Sequence, residues 1–243
     1  MQGYRNAGQN EPVQHGVSLG LGLVSMATND DECYEQLKNT LYANADSAII
    51  GEAAAYGMGM VKLGSADPRA IEEMITHAND SQHEKIIRAL SISLALLMQG
   101  REEEADGLIE QMTRSKDSIM RYGAMYAIGC AYAGTMNSSA VKKLLKFAVN
   151  DVNDDVKRAA ITNIGFLLFR NPKLVTETVR HLAESHNPNM RYGAAMAVGI
   201  GCAGTGLNEA LKLLAPLTND STDFVRQGAL IALSLVFIQI TQA

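Results

Sequence analysis

MRYGAAMAVGIGCAGTG, at residues 190–206, is a near copy of MRYGAMYAIGCAYAGTM at residues 120–136. Two such copies within one chain call for a search at shorter intervals, because a period of about 20 to 50 residues decides the architecture. Segments of the same pattern start at Val13, Ile50, Ile86, Met120, Val156, Met190 and Val225, and successive starts lie 34 to 37 residues apart. Their fourth positions are Gly16, Ala53, Ala89, Gly123, Ala159, Gly193 and Gly228, all small. Four residues on stand Gly20, Gly57, Ser93, Ala127, Asn163, Ala197 and Ala232, and two further on Gly22, Gly59, Ala95, Gly129, Gly165, Gly199 and Ser234.

Each segment is long enough for a helix and rich in Ala, Leu and Met. Gly64, Gly100, Gly134 and Gly204 follow at the place where a helix stops in a left-handed conformation. A second apolar stripe then appears, through Ile71, Met74 and Ile75 in one repeat and Leu211, Leu214 and Leu217 in another. Turns rich in Asn, Asp and Ser, such as NDVNDD from Asn150 and SHNPN from Ser185, close each unit with N-cap chemistry. The expected fold is therefore all-α, a superhelical solenoid of helix pairs with inner and outer helix rows, curved as an arc of a toroid. Repeats fill residues 13–243, the one at Val225 being partial, and residues 1–12 read as a remnant of a preceding repeat or a linker. Glycine inside a helix costs about 0.5 to 1 kcal/mol relative to alanine. The small columns are thus expected to allow close helix approach on more than one side.

Composition narrows the function. The chain has 243 residues, 47% of them hydrophobic, and a net charge of -5. A net negative charge argues against a general nucleic-acid or anionic-membrane surface, which needs clustered Lys and Arg. Cys33, Cys130 and Cys202 form no CxxC pair, and the sequence has no signal-peptide or membrane-spanning run. A soluble intracellular protein with protein partners is the expectation.

No catalytic apparatus is expected. Gly199, Gly201 and Gly204 satisfy GxGxxG, with Asp220 downstream, but two of these glycines fall on repeat columns and the motif lies in a helix. His15, His77, His83, His181 and His186 have no metal-ligand spacing, and Glu102, Glu103, Glu104 and Asp106 start a second helix where carboxylates favour the positive end of its dipole. Neither a catalytic, a cofactor nor a metal site is assigned. Arg121, Lys157, Arg191 and Arg226 recur two residues before the first small column, where a cation opposes the helix dipole. They are expected to form an inter-repeat ion-pair ladder with Asp117, Asp154, Asp155, Asp220 or Asp223 of the preceding turns. A basic stripe for an acidic partner is the alternative.

At these columns the chain resembles the proteasome/cyclosome repeat family. The runs HGVSLGLGL from His15, SQHEKIIRAL from Ser81, DVNDDVKRAA from Asp151, NPNMRYGAAMAVGIGCAGTG from Asn187 and TNDSTDFVRQGALIA from Thr218 carry the closer likeness, to the non-ATPase scaffold of the proteasome regulatory particle. That resemblance implies a toroid of two helix rings, and a non-catalytic scaffold that organises protein subunits for ubiquitin-dependent degradation in cytoplasm and nucleus. A HEAT-like adaptor is the second reading. The fifth repeat departs from the pattern, with Asn163 in a small column and Arg170 in place of the terminal glycine, where Asn171 and Pro172 offer another stop. The segment ALIALSLVFIQI ends the sequence without a second helix, so Leu233, Leu235, Val236 and Ile238 are expected to lack cover and to drive self-association.

Overall fold

The computed structural model describes residues 10–44 and 47–239. These residues form thirteen α-helices and no strand: α1 Glu11–Val24, α2 Asp31–Ala43, α3 Ala48–Val61, α4 Pro68–Asp80, α5 Glu84–Leu97, α6 Asp106–Thr113, α7 Ser118–Ala131, α8 Ser138–Asn150, α9 Asp154–Leu168, α10 Pro172–Ala183, α11 Pro188–Gly201, α12 Asn208–Leu217 and α13 Asp223–Val236. A 3-10 turn, Glu102–Ala105, leads into α6, so of the acidic run expected to open a second helix Asp106 does so while Glu102, Glu103 and Glu104 form the turn before it. Residues 1–9, most of the expected remnant at 1–12, lie outside the described residues. The chain divides into two compact units, Met1–Ala131 and Tyr132–Ala243.

The odd-numbered helices carry the small columns, and each starts two residues before its aligned segment. In the first unit α1, α3, α5 and α7 pack in chain order as one row, with α2, α4 and α6 resting on α3, α5 and α7. In the second unit α9, α11 and α13 form the row, and α8, α10 and α12 rest on them in the same way. Each second helix therefore leans on the first helix of the next repeat. The N-termini are held by short polar caps: Asp67 accepts from the Arg69 amide at 3.0 Å, Asn137 from Ser139 at 2.9 Å and Asn187 from Asn189 at 2.8 Å. Pro68, Pro172 and Pro188 occupy first-turn positions, where their missing N–H is no loss.

The turns between first and second helices do more than reverse the chain. Gly64, Gly134 and Gly204 have φ of 68°, 68° and 67°, and two residues later Ala66, Met136 and Gly206 are also left-handed at 52°, 57° and 56°. Both left-handed residues aim their N–H groups at the next first helix. Gly64 and Ala66 donate to the carbonyls of Leu96 and Leu97, Gly134 and Met136 to those of Phe166 and Leu167, and Gly204 and Gly206 to those of Leu235 and Val236, at 2.9 to 3.2 Å. Ala27 and Asn29 do the same toward Met60 and Val61. These acceptors are the orphan carbonyls of a helix C-terminus. Backbone bonds thus tie the first, second, fourth and sixth repeats to the ones that follow them.

Repeat five lacks this turn. Its first helix ends at Leu168, Phe169 stays right-handed at φ -57°, and the Asn171 side chain accepts from the Leu174 amide at 3.3 Å with Pro172 in the first turn of α10. At the end of α13, Val236 is fully buried, contrary to the expectation that it lacks cover, and its carbonyl accepts from the Gly206 N–H in the turn of the preceding repeat. Leu230, Ile231, Phe237 and Ile238 are the exposed apolar residues there.

Candidate functional site

The recurrent geometry of this chain is the contact between successive first helices. The third small column faces the following helix. A Cβ built on Gly22 would lie 2.6 Å from the Gly57 Cα, one on Gly59 2.5 Å from the Ser93 Cβ, one on Gly165 2.6 Å from the Ala197 carbonyl oxygen, and one on Gly199 2.7 Å from the Ala232 Cα. In every case the neighbour belongs to the second small column. The first column faces the other way: a Cβ on Gly123 would meet Ser91, one on Gly193 would meet Ile161 and the Arg158 carbonyl, and one on Gly228 would meet the Tyr192 ring. Ala53, Ala89 and Ala159 in that column are buried. Gly16 has nothing within 4 Å, and Gly129 is a buried residue of α7. Helices thus approach backbone to backbone, a distance that only small residues permit.

The cation column meets partners that side-chain reasoning did not foresee. Arg121 Nη1 donates to the carbonyls of Ser115 and Lys116, both at 3.0 Å; Arg191 Nη1 donates to Ser185 at 2.8 Å and His186 at 3.0 Å; Arg226 Nη1 donates to Asp220 at 2.8 Å and Ser221 at 3.1 Å. Each guanidinium therefore caps the turn that follows the preceding second helix, where exposed carbonyls carry negative charge. Lys157 Nζ stands 4.0 Å from Asp154 in its own first turn. Arg191 also binds a carboxylate across repeats, with Nε 2.6 Å and Nη2 2.8 Å from the two oxygens of Asp220. That Asp220 comes from the following turn, not the preceding one, so the expected direction of the rung is corrected. The Arg191 hydrogen bond holds the Asp220 carboxyl below its ordinary range.

A second polar cluster left no obvious mark in the sequence. Lys62, with a side chain only 2% exposed, caps the end of α3 and reaches Asp31 at 2.6 Å and Asp67 at 3.0 Å, with the Tyr34 ring 5.3 Å away. Beside it Tyr34 donates to Glu73 at 3.0 Å, Lys38 lies 3.2 Å from Glu73, and Arg69 pairs with Glu35 and Glu73. Burial opposes the Lys62 charge, but its two carboxylate partners outweigh this and raise the pKa.

The glycine-rich run at 199–204 forms no phosphate cradle. Gly199 and Gly201 lie inside α11, against Ala232 and Val175, and the Gly204 N–H is spent on the Leu235 carbonyl. Burial pushes the Cys130 and Cys202 thiols up to about 11, the opposite of nucleophile activation. Among the described residues no group of three His, Cys, Asp or Glu is placed to hold a metal ion. No described helix is long and apolar enough to cross a membrane.

Comparison with known proteins adds to this geometry. A proteasome/cyclosome repeat model matches residues 53–87, and a HEAT repeat model matches residues 141–234. Over 233 residues, 96% of the chain, identity to the 26S proteasome non-ATPase regulatory subunit 1 homolog B of Arabidopsis thaliana is 54%. Identity to the 26S proteasome non-ATPase regulatory subunit 1 of Drosophila melanogaster is 54% over 96% of the chain, and to the 26S proteasome regulatory subunit rpn2 of Schizosaccharomyces pombe 47% over 95%. The chain spans 23 to 24% of the length of these relatives.

Proposed function

For a chain that carries proteasome/cyclosome repeats, we propose the role of a non-catalytic scaffold segment within the regulatory particle of the 26S proteasome. Its partners are then protein subunits of that particle, its process is ubiquitin-dependent protein degradation, and its compartments are cytoplasm and nucleus. The observation that carries this reading is the 54% identity to a 26S proteasome regulatory subunit over 96% of the chain. The close packing supports it in physical terms. Within each unit, repeats joined both by backbone hydrogen bonds and by backbone-to-backbone helix contacts have little freedom to hinge, which suits a part that holds other subunits in place.

The HEAT match over residues 141–234 favours a second reading, a helical-repeat adaptor of another assembly. Both models describe helix pairs, and they divide on partners. Affinity capture of the tagged chain from cell extract, with identification of the co-purifying proteins by mass spectrometry, separates them. Enrichment of regulatory-particle subunits is the expected outcome. Recovery of transport or phosphatase complexes without those subunits would replace the proteasome reading by the adaptor one.

A further inference from the structure

A groove of about 490 Å³ opens between α4 and α6 in the first unit, with Ile71, Ile75, Met98 and Leu108 along it and Glu72 and Glu104 at its edge. It continues past Ile75 and Gln111 into a smaller cavity of about 200 Å³. The neighbouring gap, between α2 and α4, is closed by side chains. Tyr34 and Lys38 of α2 cross it to Glu73 of α4. Ile71 and Ile75 stand at the same places on α4, three and seven residues beyond the first residue of the helix, but their short apolar side chains do not bridge. The opposite wall is made by the 3-10 turn Glu102–Ala105 and α6, which supply Glu104, Leu108 and Gln111.

We propose that this groove receives an amphipathic helical segment of a partner protein, apolar on the inserted face and carrying Lys or Arg on its flank. Three features fix that chemistry. The paired apolar residues Ile71 and Ile75 lie one helical turn apart, matching anchors at i and i+4 on an incoming helix. From Pro68 to Asn79 the wall runs about 16 Å at 1.5 Å per residue, enough for a third anchor at i+7. The uncompensated charge at the edge is negative. Glu72 is exposed with no ion pair among the described residues, whereas Glu104 is bound by Arg101 at 3.4 Å and Arg114, beside the smaller cavity, is matched by Glu110. An acidic helix would meet like charge there, so a basic one is selected.

This inference rests on the scaffold reading in supposing a protein partner, and its test is independent of proteasome assembly. The purified 243-residue chain serves as bait for a displayed library of helix-forming dodecapeptides randomised on one face. Enriched peptides are expected to show two or three apolar residues at i, i+4 and i+7 with a flanking Lys or Arg. Their affinity should fall about fivefold or more in Glu72→Lys and be lost in Ile75→Glu, and stay unchanged in Glu177→Lys on α10. Thermal melting of each variant establishes that it is folded. The proposal is overturned by an absence of enriched peptides, by enrichment of acidic or non-periodic ones, or by binding that survives both groove variants. Enriched peptides together with failed capture of regulatory-particle subunits would sink the proteasome reading and leave the groove; the reverse would sink the groove alone.

Discussion

Gly165→Ala is a small change with a clear sign. In an isolated helix it would stabilise by about 0.8 to 1.0 kcal/mol, because alanine is the best helix former and glycine among the worst. Here the new methyl carbon would stand 2.6 Å from the Ala197 carbonyl oxygen and 2.9 Å from its Cα. Carbon contacts settle near 3.5 to 4.0 Å, so α9 and α11 would have to part by about an ångström. The obstacle is backbone and cannot swing aside. Overpacking of this kind costs about 1 to 3 kcal/mol, and the rigid neighbour places it in the upper half, leaving a net loss of about 1 to 2 kcal/mol. Gly107→Ala is the control, since Gly107 lies in α6 with nothing within 4 Å; it should stabilise by about 0.5 to 1 kcal/mol. Urea unfolding followed by circular dichroism measures both. A Gly165→Ala protein as stable as the parent, or more so, would refute the claim that the small column sets the helix spacing.

Four further outcomes follow from the same contacts. Asp220 titrates below its ordinary value because Arg191 binds it, so the stability it contributes is complete above about pH 4 and is lost as pH falls through the lowered value. Acid unfolding of Asp220→Asn should lack that step. Replacing the buried Lys62 by alanine should cost about 1 to 3 kcal/mol through lost pairing and an unfilled site, and Lys62→Met, which keeps the volume, should recover part of it in the same urea titration. Asn163 is fully buried, and its Nδ2 bonds the Ala159 carbonyl while its Oδ1 has no partner among the described residues; Asn163→Ala should therefore be neutral or stabilising by up to about 1 kcal/mol, and a loss beyond that would reveal a partner for the amide. The exposed Leu230, Ile231, Phe237 and Ile238 predict concentration-dependent self-association of this chain. Sedimentation over a hundredfold concentration range that finds only monomer would contradict it.

What could be read in the sequence, and what could not, divides along a physical line. The small columns and Gly64, Gly134 and Gly204 were legible because a side chain, or the lack of one, states the constraint directly. Asn171 and Pro172 announced the alternative helix stop of repeat five for the same reason. The backbone ladder was not legible, since Ala66 and Met136 adopt φ of 52° and 57° without any residue type that requires it. Gly206 stands outside the small columns, yet its φ is 56° and its N–H is bonded to the Val236 carbonyl. Gly206→Ala should cost about 1 to 2 kcal/mol, the left-handed penalty that Ala66 and Met136 already bear. The arginine column is plain in the sequence, but the carbonyls of the preceding turns that it binds are backbone groups, which no letter of the sequence records. Lys62 carries no such mark, because a lone lysine after a helix reads as solvated surface, and its burial depends on Asp31 and Asp67 arriving from the N-terminal ends of two other helices.

On the proposed scaffold reading, close stacking of the repeats within each unit serves assembly. That reading is tested most directly by replacing the matching segment of a 26S regulatory subunit relative with this chain, with and without Gly165→Val and Gly199→Val together, and measuring incorporation into 26S particles by native gel and quantitative mass spectrometry. Both variants put branched side chains against helix backbone. The account predicts a subunit that is made but is depleted from assembled particles, with Gly107→Ala incorporated normally. Normal stoichiometric incorporation of the double variant would contradict it.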